Sequence, residues 1–387
     1  MPPLIRKLLL ASVSGLLALL LAEVLVRVWV DSFASDSDFK LYASETQLKE
    51  RFPPKVLPHR YLGFCLNPEY RSDLNRHSAL GFRGDEISLP KPKGEFRIVC
   101  LGGSTTYTLG VEDHHLSYPA LLESQLVKSG FDQVKVINAG VPGYSSWENL
   151  MNFQFRVLDV EPDMLIVYNS VNDIHPRLVW PSSAYRGDNS GRRSAPEVGR
   201  PTHLGDFSTL ARIYMVQKGI IAPLNAMANS LDIYPETYLA EEFQQQARRG
   251  NYPRGVFKRV SASQMLATNA PVYYRRNLES LVAIAELTGV ETILATFAHS
   301  ARFKNRPTAS SAEYVGAYEE MNSELASVTE GSTAHLFDFA AVFPNEGKYF
   351  TDGRHVTEAG ARLKARLFAK YLGDTGILAK ALRERGL

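Results

Sequence analysis

The sequence has little cysteine and almost no excess of charge of one sign. Its 387 residues include two cysteines, and 43 Lys and Arg residues against 41 Asp and Glu residues leave a net charge of +2. Two cysteines are too few for a disulfide-built scaffold. A chain this close to neutral gives no reason to expect nucleic acid as a partner. The 45% hydrophobic content is that of a globular protein with a sizeable core.

The two cysteines stand apart in the sequence. Cys100 falls inside a predicted central strand, where a buried free thiol is the ordinary expectation. A bridge to Cys65 stays open as an alternative if the chain is exported to an oxidising compartment.

The first 30 residues depart from this globular composition. Arg6 and Lys7 precede an uncharged, Leu-rich run over residues 8–22. When Glu23 and Arg27 are included, the stretch reaches the roughly 20 residues that span a bilayer. These two charges are four residues apart, so they can pair on one helix face.

Residues 1–30 therefore predict a transmembrane anchor. Basic residues before the helix and acidic residues after it place the N-terminus in the cytoplasm and the body outside it. The alternative is a signal peptide that is cleaved at the small residues Ser32-Phe33-Ala34, which would give a secreted protein. The length of the apolar stretch favours the anchor, and both interpretations export the body.

The rest of the chain divides into a leader and a body. Residues 31–94 are rich in Pro and charge and are predicted to pack on the body. From residue 95 to 387 short apolar runs alternate with helical patterns, which predicts an α/β domain with a parallel sheet and helices on both faces. The predicted strands are 96–100, 134–137, 164–168, 292–295 and 335–338.

An insertion interrupts this alternation over residues 175–270. It is much longer than a single helical crossover requires. Helices are predicted over Phe207–Met227 and Glu236–Arg249. An insertion that leaves the carboxyl edge of the sheet is expected to form a cap over the active site. A lobe without contact to substrate is the alternative.

A glycine turn follows the first predicted strand of the body. The mostly apolar run over residues 96–100 stops at Gly102 and Gly103, which predicts a buried strand entering a tight turn. In an open α/β sheet such a strand delivers its last residues to the edge where ligands bind. Ser104 is therefore a candidate nucleophile, although a phosphate-cradling or purely structural turn has the same pattern.

Polar residues follow the ends of other predicted strands in the same way. Gly140 follows the second predicted strand and can turn its N–H into a shared pocket, and Asn172 after the third offers a side-chain amide to an oxyanion. Asp352 and His355 lie three apart in a turn before the last helix. Such a carboxylate can hold the imidazole while its other nitrogen faces a nucleophile.

These stretches resemble the four blocks of the SGNH (GDSL-type) esterase/lipase superfamily, in the right order and between about residues 96 and 372. The matching segments are Gly102-Gly103-Ser104, Asn138-Ala139-Gly140, Val171-Asn172-Asp173 and Asp352-Gly353-Arg354-His355. The resemblance implies a flavodoxin-like, three-layer α/β/α fold and hydrolysis of esters through an acyl-enzyme. It implies neither a cofactor nor a metal.

The resemblance also implies a role for each candidate residue. Ser104 would be the nucleophile and His355 the general base, which Asp352 orients. Gly140, Asn172 and the backbone N–H of Ser104 would form the oxyanion hole.

Two departures from the family pattern indicate a divergent subgroup. The Asp that precedes the family's serine is Gly103 here, and the glycine two before Asn172 is Ser170. Neither position is a catalytic group in the family, so the chemistry stands, but the substrate cannot be borrowed from its best-known members.

Two other histidines lie at the same predicted edge. His175 and His299 are expected to line the site or to serve a structural role. A metal site built from Asp173, His175, Asp352 and His355 is disfavoured, because the spacing matches no standard ligand pattern.

The sequence therefore predicts a membrane-tethered serine ester hydrolase. Its expected partners are the membrane, through the N-terminal helix, and an ester substrate, either an O-acylated glycan or a lipid-like ester. An O-acyltransferase is the alternative within the same chemistry. A non-catalytic carbohydrate-binding protein with the same fold is the alternative outside it, and the intact set of four side chains argues against it.

Overall fold

The computed structural model describes residues 2–51, 53–59, 61–180, 182–187, 203–221 and 260–387. Two compact units are formed, one by residues 1–55 with 195–235 and the other by residues 56–194 with 236–387. We call them, after the roles that the sequence predicts, the anchor unit and the hydrolase unit. The helix predicted over Glu236–Arg249 lies outside the described residues.

The helices of the two units are numbered here in chain order. They are α1 (Pro3–Ser32), α2 (Asp36–Tyr42), α3 (Glu45–Arg51), α4 (Ser104–Tyr107), α5 (Tyr118–Lys128), α6 (Ser146–Asn152), α7 (Val171–Ile174), α8 (Thr209–Gln217), α9 (Ala262–Thr268), α10 (Val272–Leu287), α11 (Pro307–Ser310), α12 (Ala312–Glu330), α13 (Phe339–Val342), α14 (Glu358–Asp374) and α15 (Ile377–Glu384).

The strands form a small hairpin and a parallel sheet. They are β1 (Val56–His59), β2 (Gly63–Leu66), β3 (Phe96–Gly102), β4 (Val134–Gly140), β5 (Met164–Tyr168), β6 (Glu291–Ala295) and β7 (His335–Phe337). β1 and β2 pair antiparallel, and the sheet has the order β4-β3-β5-β6-β7 with every pairing parallel. This is the 2-1-3-4-5 order of flavodoxin-like folds. The five predicted strands of the body are confirmed.

Helices flank the sheet in two groups and complete a three-layer α/β/α architecture. In one group α5 packs on α14, where the rings of Tyr118 and Phe368 stack with centroids 5.6 Å apart. In the other group α10 packs on α6 and α12. Both groups bury side chains in one core with the fully buried strands β3 and β5. A sheet covered on both faces needs such continuous apolar strands.

The register of the sheet brings three strand ends together. Gly102, the last residue of β3, pairs with Gly140 of β4 on one side and with Tyr168 of β5 on the other. Open α/β sheets bind ligands at the carboxyl edge where the strand order reverses, which here is the edge of β3 and β5. Ser104 and Asn172 follow these two strands directly.

The anchor unit is helical and contains part of the insertion. α1 is long and apolar enough to cross a membrane by length and composition. Near its end Val30 is buried with Phe39 of α2, Ala43 just after α2 and Leu48 of α3, and Ile213 of α8 packs on the same cluster. Of the predicted helix Phe207–Met227 the structure describes α8, which ends before Gly219, a residue with φ of +65°.

The predicted leader is divided between the two units. α2 and α3 belong to the anchor unit, whereas the hairpin and the chain up to residue 94 belong to the hydrolase unit. Two helices of seven residues each are too short to show a helical period clearly in the sequence. The cap remains a prediction, since the described residues 203–221 are assigned to the anchor unit.

Candidate active site

Ser104 is placed by a turn that only glycine allows. A Cβ on Gly102 would overlap the Thr106 hydroxyl and the carbonyl oxygen of Tyr168. The same Thr106 hydroxyl donates to the Tyr168 carbonyl at 3.0 Å, which ties the turn to the neighbouring strand. Ser104 then opens the short helix α4, and its side chain is half-buried at the edge of the sheet.

A chain of two hydrogen bonds connects Ser104 to the last loop. Ser104 Oγ lies 2.8 Å from Nε2 of His355, and Nδ1 of the same ring lies 2.8 Å from Oδ2 of Asp352. The other oxygen of Asp352 accepts the backbone N–H groups of Arg354 at 3.0 Å and His355 at 2.8 Å. The carboxylate therefore fixes both the loop and the ring, and it places the second ring nitrogen against the serine.

The loop that carries Asp352 and His355 is closed by a second required glycine. Gly353 has φ of +88°, and a Cβ there would lie 2.6 Å from the carbonyl oxygen of Ser300 and 2.5 Å from Cβ of Ala309. The carbonyl of Gly353 also accepts the N–H of Ser300 at 2.8 Å. A left-handed backbone pressed against a neighbouring chain segment leaves no room for a side chain.

The charge on Asp352 is held by its neighbours. Burial by itself would raise the pKa of this carboxyl, but the hydrogen bond and the charge of His355, with the Arg354 guanidinium, outweigh it and hold the pKa well below its usual range. Nη2 of Arg354 is 3.1 Å from Oδ2 of Asp352. Asp352 is thus ionised at neutral pH and can stabilise a positive charge on the ring.

Two amide donors flank the serine. The backbone N–H of Ser104 is the first of α4 and has no partner inside that helix. Nδ2 of Asn172 donates one hydrogen to the carbonyl of Tyr144 at 2.8 Å. A Cβ on Gly103 would lie 2.7 Å from the same nitrogen, so the amide of Asn172 reaches the residue next to Ser104 only because position 103 is glycine.

Gly140 does not present its N–H to this pocket. That N–H is donated to Oδ1 of Asn138 at 3.1 Å, and a Cβ on Gly140 would overlap the backbone of Tyr107. The expectation that Gly140 supplies an oxyanion donor is therefore corrected, because the side chain two residues earlier already uses the group.

A second glycine of the same loop has an N–H that is not already bonded to a described residue. Gly143 is partly exposed with φ of +88°, and its N–H has no acceptor among the described residues. It precedes Tyr144, whose carbonyl accepts from Asn172 and would lie 3.1 Å from a Cβ on Gly103. The prediction from sequence missed Gly143, although the pair of glycines three residues apart could have indicated it.

Comparison with known proteins decides the family. The family model of the GDSL-like lipase/acylhydrolases matches residues 100–363, a range that contains every site residue described above. The chain belongs to this family. It is therefore an ester hydrolase.

Solved structures of related enzymes are similar over most of this hydrolase. A lipase/acylhydrolase from Enterococcus faecalis is 15% identical, with 72% of this chain and 95% of that chain covered and a TM-score of 0.40. An acetyl xylan esterase is 13% identical, with coverages of 72% and 100% and a TM-score of 0.41. A GDSL-like lipase from Bacteroides thetaiotaomicron is 13% identical, with coverages of 75% and 93% and a TM-score of 0.40. No curated protein matches the sequence.

A buried carboxyl lies next to Asn172 in this hydrolase and bonds to residues of two segments. Asp173 accepts the N–H and the hydroxyl of Ser146, the first residue of α6, and Nδ2 of Asn169 at 2.6 Å. Burial raises the pKa of Asp173 to about 7, against the hydrogen bonds from Ser146 that lower it, and the charge of Glu148 adds to the increase. The carboxyl ties α6 to the loop of Asn172.

A buried lysine lies on the other side of the nucleophile turn. Nζ of Lys364 is 3.4 Å from the carbonyl of Thr105 and sits over the rings of Tyr168 at 3.3 Å and Tyr118 at 4.0 Å. Burial lowers the pKa of this amine well below its usual value. No sequence pattern indicated this contact, because α14 is more than 250 residues from Ser104.

The two remaining histidines of this edge contact tyrosine rings. His175 lies against Tyr314 with ring centroids 6.2 Å apart, and His299 lies against Tyr318 at 4.5 Å. Burial lowers the pKa of His299, which favours its neutral form. These contacts fit the structural role expected of both.

A cluster with metal-ligand chemistry occurs away from Ser104. Among the described residues, ligand atoms of Asp85, His114 and His115 lie within 4.8 Å of one another. They line a cavity of about 280 Å³ between α5 and β4. Asp173, from the disfavoured metal hypothesis, bonds to Ser146 instead of joining Asp352 and His355.

Proposed function

We propose that this hydrolase is a serine esterase that works through an acyl-enzyme. The observation that carries the proposal is the pair of 2.8 Å contacts that connects Asp352, His355 and Ser104. A serine hydroxyl is a poor nucleophile until a neighbouring base accepts its proton. This geometry supports Ser104 as nucleophile, His355 as general base and Asp352 as the group that orients the base.

The first half of the reaction transfers the acyl group to the protein. Ser104 Oγ forms a bond to the ester carbonyl carbon while its proton moves to Nε2 of His355. The tetrahedral intermediate collapses, the bond to the leaving alcohol breaks, and the alcohol takes the proton from His355. In the second half water attacks the acyl-enzyme, gives a proton to His355, and Ser104 regains that proton as the acid leaves.

The negative charge of the tetrahedral oxygen needs fixed donors. We assign this role to the N–H of Ser104 and to the amide of Asn172, which retains one hydrogen after its bond to Tyr144. The N–H of Gly143 replaces that of Gly140 as the third donor, because the latter is bonded to Asn138. Such donors stabilise charge that develops only in the transition state.

We also propose that α1 is retained as a membrane anchor, with the hydrolase unit outside the cytoplasm. Support comes from the charge distribution around α1 and from Val30, which is fully buried against α2 and α3. Cleavage after Ala34 would expose this cluster. The substrate is then an O-acyl ester reachable from the membrane, either on a glycan or on a lipid-like molecule.

A fluorophosphonate probe tests the proposal directly. The full-length protein in detergent should be labelled and lose activity on short-chain esters, and Ser104→Ala should abolish both. Ser129→Ala, which removes an exposed hydroxyl at the end of α5, is the matched control and should behave like the wild type. Labelling that survives in Ser104→Ala would contradict the assignment.

The products of the reaction distinguish hydrolysis from acyl transfer. With an acylated donor and a sugar acceptor present, release of free acid indicates hydrolysis, and an acylated sugar indicates transfer. If neither labelling nor turnover occurs in the wild type, the non-catalytic binding function takes the place of this proposal.

A further inference from the structure

The charged pair in α1 has partners in the insertion. Oε1 of Glu23 accepts the N–H of Thr209 at 2.8 Å, while Oε2 accepts the hydroxyl of Ser208 at 2.8 Å and the N–H of Leu210 at 3.0 Å. Arg27 bonds to Glu23 at 2.6 Å and donates to the carbonyl of Phe207 at 2.8 Å. Glu23 therefore caps the N-terminus of α8, where orphan N–H groups and the helix dipole favour a carboxylate.

These contacts fix the level of α8 along α1. An α-helix rises about 1.5 Å per residue, so the uncharged residues between Lys7 and Glu23 cover about 22 Å, and a bilayer core of about 30 Å extends at most about 8 Å beyond them. Glu23 is the first charge after Lys7. It therefore lies within about two helical turns of the boundary between hydrocarbon and headgroups when α1 spans the membrane, and the start of α8 lies at the same level.

The segment 203–221 exposes large apolar side chains at that level. Leu204 is 67% exposed, Phe207 71%, Tyr214 58% and Ile220 58%. A surface helix in water normally turns polar residues outward. Here the charged Arg212 is buried instead.

Aromatic residues cluster at the same end of α1. Phe33 is 75% exposed, and Trp29 is 38% exposed beside the ring of Tyr42. Aromatic side chains are enriched where a membrane protein meets the headgroup region. The contacts of Glu23 and Arg27 hold the start of α8, and with it these exposed apolar side chains, beside this end of α1.

We propose that residues 203–221 are a second membrane-contacting element, with Leu204, Phe207 and Tyr214 inserted among the headgroups of the bilayer that α1 spans. The occupant of this surface is lipid. The inference rests on the proposed anchoring by α1. It gives the described part of the insertion a role in setting how the chain sits on the membrane.

An environment-sensitive fluorophore at position 207 tests the inference. Full-length Phe207→Cys, in a Cys65→Ser background, is labelled with NBD and reconstituted in phosphatidylcholine and phosphatidylglycerol nanodiscs; Cys100 is fully buried and stays unlabelled. We expect blue-shifted emission and at least about threefold stronger quenching by lipids with a nitroxide near the headgroup than for the control Thr46→Cys, an exposed polar site of α3.

Three outcomes would overturn the inference. Quenching of the 207 probe by soluble nitroxide as strong as at position 46, in protein that resists carbonate extraction, would reject it and leave the anchor intact. Shielding without lipid quenching, in a nanodisc holding two chains, would assign the surface to a second copy. Loss of the protein from the membrane fraction would contradict the anchoring itself, and with it this inference, while fluorophosphonate labelling would still report on Ser104.

Discussion

The anchor unit and the hydrolase unit differ in how much apolar surface they expose. The hydrolase unit encloses charged groups such as Arg97, Arg177 and Asp173, each with hydrogen-bond partners, inside an apolar core. The anchor unit instead exposes leucines along α1 and the aromatic Phe207. Burying a charged group costs free energy unless other protein atoms form hydrogen bonds with it. A surface that faces lipid needs no polar side chains on its exterior. The difference is the one expected if α1 lies in a membrane, as proposed above.

Removal of the nucleophile should have the largest effect, and it should abolish activity without affecting membrane retention. Ser104→Ala is expected to lower kcat/KM on a soluble ester by more than about 10⁴-fold, since nucleophile and base act as one unit. Membrane retention after carbonate washing should not change, because α1 is intact. A variant that lost retention together with activity would contradict the independence of the units.

Loss of the Asp352 charge is expected to have the next largest effect on turnover. Asp352→Asn keeps the shape but lets the ring of His355 adopt the wrong tautomer, and we expect turnover to fall by about 10⁴-fold. Steady-state kinetics on a short-chain ester measure this effect. Arg354→Gln, which removes only the cation beside the carboxylate, should lower turnover far less. Equal losses in the two variants would contradict the larger role assigned to the carboxylate.

Removal of an oxyanion donor should lower turnover less than either of these two substitutions. Asn172→Ala is expected to reduce kcat by about 10²–10³-fold with little change in KM, since the donor acts in the transition state. Gly103→Ala provides a geometric version of the same test, because its Cβ would displace the amide of Asn172. If Gly103→Ala were fully active, Asn172 could not be the donor in the position described.

The buried Asp173 predicts a pH dependence of stability in the hydrolase unit. Its pKa is raised by burial to about 7, so the folded state binds this proton more tightly than the unfolded state. Stability from this group is complete below about pH 4 and is lost as pH rises toward 7, with a slope of at most about 1.4 kcal/mol per pH unit. Thermal midpoints between pH 4.5 and 8 should show this slope in the wild type and lack it in Asp173→Asn; an unchanged slope would contradict the raised pKa.

The smallest effect is expected in the anchor unit. Glu23→Ala removes the carboxylate that accepts the first two N–H groups of α8 and leaves the Ser208 cap in place, and loss of such capping costs about 0.5–2 kcal/mol. Hydrogen exchange of the amides of Thr209 and Leu210 should accelerate by about 2- to 30-fold in detergent. Glu50→Ala, at an exposed position of α3, is the control, and turnover of a soluble ester should stay unchanged in both variants.

The sequence alone determined the sheet and the residues that lie at its edge. Apolar runs that stop at glycines predicted the strands, and parallel strands must deliver their ends to one edge. His355 lies within hydrogen-bond distance of both Ser104 and Asp352, and Asn172 lies beside the nucleophile turn, as the order of motifs indicated. Local pattern and chain direction carry this information.

Only the tertiary structure decided which polar groups already have hydrogen-bond partners. The side chain of Asn138 takes the N–H of Gly140, and among the described residues the N–H of Gly143 is left without an acceptor. Glu23 finds its partners about 185 residues away in the insertion. Lys364 reaches the turn of Ser104 from the last long helix. Such contacts depend on packing between segments far apart in the chain, and no local period or motif encodes which polar atoms that packing leaves unpaired.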